Sequence, residues 1–266
     1  MSATTHPLPP GVRPIQVVAE SDAWLVVDKP PFLLAHPSKP SDRLTLWDYL
    51  REFLAFEIAC GGQVSLINRL DRETSGLTLV AKTREAARFL SMQMAARRIS
   101  KEYSAIVWGW PADDEWTVDA PLLRQGERKT SRIHLKQMVH PDGAISRTGF
   151  RVEQRFTGGP AGNERFCLIR ALPKTGRMHQ IRVHLAHSGY PVVGDKIYGP
   201  DEGCYLEFIE TGWTTSLAQR LLLPRHALHA SNLLLETTGD EWEASLAADL
   251  EAFVQAAPLP RQPEIG

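Results

Sequence analysis

Asp71 lies between two arginines in the segment Asn68-Arg69-Leu70-Asp71-Arg72-Glu73-Thr74-Ser75-Gly76. A carboxylate kept beside fixed cations stays ionised, the state needed by a catalytic nucleophile or base. The same residue types also suit a turn in which Asp, Thr and Ser hydrogen-bond the backbone. These nine residues, taken alone, leave both readings open. The apolar runs Val64–Ile67 and Leu77–Ala81 on either side are expected to be buried strands that fix the position of the loop.

Other chemistry is less well supported. His179, His184 and His187 are spaced by five and three residues. That spacing does not bring all three to one helix face, and no acidic or cysteine partner completes a set, so no metal site is expected. Cys60, Cys167 and Cys204 are isolated and odd in number, which argues against a disulfide framework and fits a reducing compartment.

The Asp71 segment resembles the catalytic motif of the RluA-type family of RNA pseudouridine synthases, whose usual form is His-Arg-Leu-Asp-x-x-Thr-Ser-Gly. Ile99–Gly109 (ISKEYSAIVWG) and Lys174–Gly199 (KTGRMHQIRVHLAHSGYPVVGDKIYG) resemble the same family, with weaker echoes in Trp24–Ser38 and Arg225–Ala230. The similarity spans roughly residues 15 to 236 in consistent order, and Asn68 stands where the family usually has His. The implied reaction is isomerisation of uridine within RNA, without cofactor or metal. Asp71 would act on the ribose, by attacking C1′ or by removing the C2′ proton. Arg182 would be its counter-ion, since a guanidinium holds a carboxylate bidentately. Tyr103 would stack on the uracil and assist proton removal from C5.

The target uridine must leave its stack to be reached. Arg69 would take up the space or contacts of the flipped nucleotide. Arg72 and Lys101 are expected on phosphates, and Arg177 and His179 beside them as RNA contacts. Asn68 can supply a donor and an acceptor in place of the usual His, so activity should survive the change. Two competing functions are an RNA-binding chaperone with a vestigial site and a carboxylate glycoside hydrolase. Asp71, Tyr103 and Arg182 together argue against the first. Lack of a supported second carboxylate argues against the other.

Composition is that of an ordinary globular chain: 266 residues, 43% hydrophobic and 23% charged, with a formal net charge of −1. The neutrality hides an asymmetry. Residues 65–187 hold 21 Lys and Arg against 12 Asp and Glu, whereas the remainder holds 9 against 19. A polyanion responds to that local field, which makes RNA a fitting partner. Either tRNA or large-subunit rRNA is plausible as the substrate. No apolar run is long enough to span a membrane, and Met1–Pro10 lacks a basic start and a hydrophobic stretch. The chain therefore reads as a cytoplasmic monomer with no obligate protein partner.

The elements that must position these residues suggest an α+β fold. The resemblance implies a central mixed, mostly antiparallel sheet flanked by helices and loops, with an RNA-binding cleft. An extended tail over 1–14, one catalytic domain over 15–257 and a Pro-rich tail over 258–266 are expected. Strands are predicted at Ile15–Ala19, Trp24–Val27, Tyr103–Trp110, Thr130–Met138, Gly149–Phe156, Phe166–Ala171 and Leu228–Leu235. Helices are predicted from the Thr45 cap towards Gly61 and over Arg84–Arg97, Gly176–Ser188 and Glu241–Ala257.

Overall fold

The computed structural model describes residues 14–37 and 44–256, so both expected tails lie almost wholly outside the described residues. In chain order the elements are β1 (Gln16–Glu20), β2 (Trp24–Lys29), α1 (Leu46–Phe53), α2 (Ala55–Ala59), β3 (Ser65–Leu66), β4 (Ser75–Ala81), α3 (Arg84–Ala95) and β5 (Ile99–Trp108). There follow β6 (Glu115–Asp119), β7 (Leu122–Arg124), β8 (Gln137–Val139), β9 (Arg147–Gly158), β10 (Glu164–Pro173) and α4 (Gln180–His187). The chain ends with α5 (Gly203–Thr211), α6 (Thr215–Leu221), β11 (Leu228–Leu235), β12 (Asp240–Glu243) and α7 (Ala248–Gln255). The pairs β1–β2, β2–β4, β3–β4, β5–β10, β9–β10, β6–β9, β7–β8 and β11–β12 are antiparallel, and the α+β class is as expected.

The chain sorts into two compact units. The first runs through Lys101 and takes in Ala230–Ser245; the second comprises Glu102–His229 and the chain from Leu246. In the first unit β4 is paired to β2, from Trp24 opposite Ala81 to Lys29 opposite Gly76. All seven β4 residues are buried because both faces are covered. Leu77, Leu79 and Ala81 pack with Leu90 of α3 and with Leu233, Leu235 and Trp242. Val80 on the other face packs with Leu25, Val27 and the α1 leucines Leu46 and Leu50. Thr45 caps α1 as expected, in a reciprocal box with Asp48. The helical run then breaks at Leu54 into α1 and α2.

In the second unit β5, β10, β9 and β6 are consecutive neighbours, and β7 and β8 form a separate pair. Phe150, Phe156 and Phe166 fill its core, with Phe253 of α7 edge-on to the last two.

Three expectations are corrected. Thr130–Met138 is strand only at its end, because the Ser131 hydroxyl bonds both the N–H and the C=O of Ile133 and turns the backbone. The helix predicted over Gly176–Ser188 begins only at Gln180, since His179 is left-handed at φ 57°. Glu241–Ala257 is not one helix. Asp240–Glu243 pairs with Asn232–Leu235 across a turn that contains Gly239 at φ 78°, and only Ala248–Gln255 is helical.

Candidate active site

The Asp71 loop is anchored from below. Its turn is closed by the Thr74 N–H donating to the Asp71 carbonyl at 3.1 Å. Asn68 is buried and acts as a backbone clamp: its Nδ2 donates to Leu77 O at 3.0 Å and its Oδ1 accepts from Leu79 N at 2.8 Å. Both halves of the amide are used, so the donor-plus-acceptor role expected for this position is what the structure contains. Lys29, at the end of β2, is fully buried. Its ammonium donates to Pro30 O, Leu33 O and, across the loop, Arg72 O at 2.8, 2.9 and 3.3 Å. Sequence reading had not singled it out, although the Trp24–Ser38 echo contains it.

Behind the loop, Gly76 has φ 109°, and a Cβ there would lie 2.2 Å from the Ala230 carbonyl oxygen. Only glycine lets the chain pass that close to β11. Leu70, Thr74 and Ser75 point inward, Arg69 and Arg72 are exposed, and Asp71 is half-buried between them. The residues therefore divide into a fixed base and an accessible rim. Lys101, on the same unit, is half-buried with Nζ 3.8 Å from Met94 Sδ, and burial lowers its pKa.

In the second unit Tyr103 lies on β5 opposite Ala171 and packs partly against the phenylalanine core. Arg182 projects from α4, almost fully buried. Its Nε and Nη2 grip Asp195 Oδ2 and Oδ1 at 2.6 and 2.8 Å, a bidentate pair. The Asp195 carboxylate also accepts from the N–H groups of Ile197 and Tyr198 at 2.9 and 3.0 Å. Burial pushes the Asp195 carboxyl up, but the Arg182 charge and these hydrogen bonds outweigh it and hold the pKa below the ordinary value. Gly194, at φ 76°, lets the loop pass under the Arg225 carbonyl, which a Cβ would meet at 1.9 Å.

The Arg182 guanidinium also sits 5.1 Å from the centre of the Tyr198 ring. The Tyr198 hydroxyl in turn contacts His179 Nδ1 and the Gln137 N–H, each at 2.8 Å. Arg182 is thus locked in orientation before any substrate is bound. His226 is buried beside this cluster; burial, then the charges of Arg182, Arg225, Lys196 and His179, hold its pKa well below 6.5. Arg177 is exposed at the mouth of α4, with its N–H on Gln180 Oε1 and its Nε on Ile145 O.

The sequence reading missed Asp195, Tyr198 and His226. Asp195 had a signal: it follows Arg182 by thirteen residues inside the quoted Lys174–Gly199 segment. The three histidines do not converge. His179 bonds Tyr198, whereas His184 is bonded to Thr148 and to the Ala120 carbonyl. Among the described residues no cluster of three potential metal ligands occurs.

Comparison with known proteins gives a consistent result. A family model described as RNA pseudouridylate synthase matches residues 23–187. A protein of Pseudomonas aeruginosa named ribosomal large subunit pseudouridine synthase D is 37% identical over 240 residues, covering 88% of this chain and 69% of that one. A Chloroflexus aurantiacus protein named as an uncharacterized RNA pseudouridine synthase is 36% identical over 234 residues. That match takes in 86% of this chain, which spans 65% of the length of the Chloroflexus protein. Among solved structures, human RNA pseudouridylate synthase domain containing 4 superposes with a TM-score of 0.69 over 92% of this chain and 93% of its own. At 22% identity that likeness speaks to the fold alone.

Proposed function

This chain belongs to the RNA pseudouridylate synthase family, and we propose that it isomerises uridines within RNA to pseudouridine. The N1–C1′ bond breaks, the uracil turns, and C5 bonds to C1′. The proton on C5 is lost and N1 regains one, so the atoms balance without cofactor or metal. In this reading Asp71 acts on the ribose, by attack on C1′ or removal of the C2′ proton, and Tyr103 stacks on the uracil. Arg182 serves as the counter-ion of Asp71. Arg69 replaces the flipped nucleotide, while Arg72, Lys101, Arg177 and His179 hold the RNA.

The observation that carries the reading is the mounting of Asp71. Asn68 and Lys29 fix the loop backbone on either side of it, and Arg69 and Arg72 stand exposed at its rim. A carboxylate so presented is preorganised for chemistry on a polyanion. A merely structural turn needs neither the exposed cations nor the buried lysine. The name of the Pseudomonas relative makes large-subunit rRNA the first substrate to test, with tRNA beside it. We place the reaction in the cytoplasm, in a monomer with one catalytic domain over 15–257.

Chemical mapping of pseudouridine in host rRNA and tRNA, with the gene present and deleted, tests this. At least one site should vanish on deletion and return with the wild-type gene but not with Asp71→Ala. If no site changes and the purified protein converts no host RNA, the assignment fails. Deuterium at the C2′ of the target nucleotide separates the two ribose mechanisms, because only proton removal is slowed by it.

A further inference from the structure

Two sets of basic side chains stand out among the described residues of the first unit. Arg51 lies against the Trp47 ring at 4.6 Å, and Lys82 is bonded to Glu20 at 2.6 Å with Glu57 at 3.7 Å. Their charges are engaged within the fold. Arg84, Arg88, Arg97 and Arg98 are all exposed and, among the described residues, have no carboxylate at ion-pairing distance. Unlike the arginines beside Asp71, these four belong to α3 and the turn that ends it.

Their arrangement is ordered by the helix. Arg84 and Arg88 stand one turn apart on the same outer face. Small Ala95 continues that stripe, and Leu90, Ala87 and Met94 turn to the core. The helix then ends with Arg97 N–H donating to Met94 O and Arg98 N–H to Gln93 O. In such an ending the left-handed residue is most often glycine. Here it is Arg97, at φ 60°. A β-carbon held in that region is a standing conformational cost, and a strained residue of this kind points to use of its side chain. From Arg84 to Arg97 the row extends about 20 Å, the span of several phosphates. Glu85 is the one acid in Arg84–Lys101.

We propose that the outer face of α3, with the Arg97–Arg98 turn, is a phosphate-binding surface that holds substrate RNA outside the contacts of the target uridine. It rests on the RNA-modifying role argued above and adds a second place where the RNA is gripped. Contacts there are to the backbone, so they position the RNA without reading its sequence.

The test is the salt dependence of binding, measured by anisotropy with a fluorescein-labelled, unmodified large-subunit rRNA transcript. Three variants are compared with wild type: Arg84→Ala/Arg88→Ala/Arg97→Gly/Arg98→Ala, Arg97→Gly alone, and Glu85→Arg. Each phosphate contact contributes about 0.7 to 0.9 to the slope of log affinity against log salt. The quadruple variant should lose about 3 from that slope and bind at least ~10-fold more weakly near physiological salt. Arg97→Gly should lose close to one contact's worth while melting no lower than wild type, since glycine relieves the backbone. Glu85→Arg should bind more tightly with a steeper slope. A purely structural role for Arg97 would move the melting temperature and leave the slope alone.

Unchanged slopes in all three variants overturn the surface, even if the wild type makes pseudouridine, and leave the face to an acidic protein partner. Lowered slopes support it even if the wild type makes none, an outcome that fails the proposed function instead.

Discussion

Asn68 holds backbone. Its amide satisfies one carbonyl and one N–H of β4, both buried, and neither bond requires a titrating group. Asn68→His should therefore retain activity. Asn68→Ala leaves both backbone groups unpaired and should cost about 2 to 4 kcal/mol in chemical denaturation. Equal stability of Asn68→Ala and wild type would show that the clamp contributes nothing. Asp195 is the opposite case, a charge buried against another. Asp195→Ala removes the carboxylate that Arg182 grips bidentately out of solvent, and a loss of ~3 to 5 kcal/mol is expected. The acid limb has a defined sign. The lowered Asp195 pKa gives stability that is present above the ordinary carboxylate value of 3.8 and is lost as pH falls through the folded value.

At the scale of elements, the loop depends on strands that pass without side chains between them. Gly76→Ala would place a methyl 2.2 Å from the Ala230 oxygen at a φ that disfavours any side chain. The strands must move apart or the loop must shift. A loss of at least ~2 kcal/mol is expected, together with a fall in turnover larger than any change in RNA affinity. Wild-type turnover with normal stability would show that the Asp71 loop does not need this close approach. The α4 segment is set differently. Gln180, not a cap residue before the helix, collects the Arg177 N–H and the Thr175 hydroxyl, while its own amide donates to Arg147 O and Thr148 Oγ1.

For the whole molecule, pH acts through a buried base. His226 is kept neutral by burial and by four neighbouring cationic or titratable groups, whereas the unfolded chain takes up its proton near pH 6.5. Below that value the unfolded state binds more protons, so stability falls as pH drops from about 6.5 towards the folded pKa. Urea midpoints collected from about pH 8 down to pH 5 should decline over the lower part of this range. His226→Gln should flatten the decline. A wild-type midpoint that stays level across the range would contradict it. Net charge matters at this scale too: a chain near neutrality can still bind a polyanion, because its cations are gathered into residues 65–187.

Much of the site was legible because its information is local. The Asp71 motif, the strands on either side, the Thr45 cap and the long antiparallel strands follow from residue type, period and capping, which act over a few neighbours. Irregular backbone was harder to read. Apolar spacing in Thr130–Met138 and Glu241–Ala257 cannot register a serine that captures its neighbour's backbone, or a hairpin partner that outbids a helix. By itself the sequence determined the family's motif, the loop that presents the acid and the asymmetry of charge. Only the tertiary structure decided that Lys29 and Asn68 hold the Asp71 loop, that Asp195 and Tyr198 lock Arg182, and which arginines stay exposed without carboxylate partners. Those facts depend on which distant groups share a buried space, where an unmatched charge or hydrogen bond is costly, and spacing along the chain does not encode that.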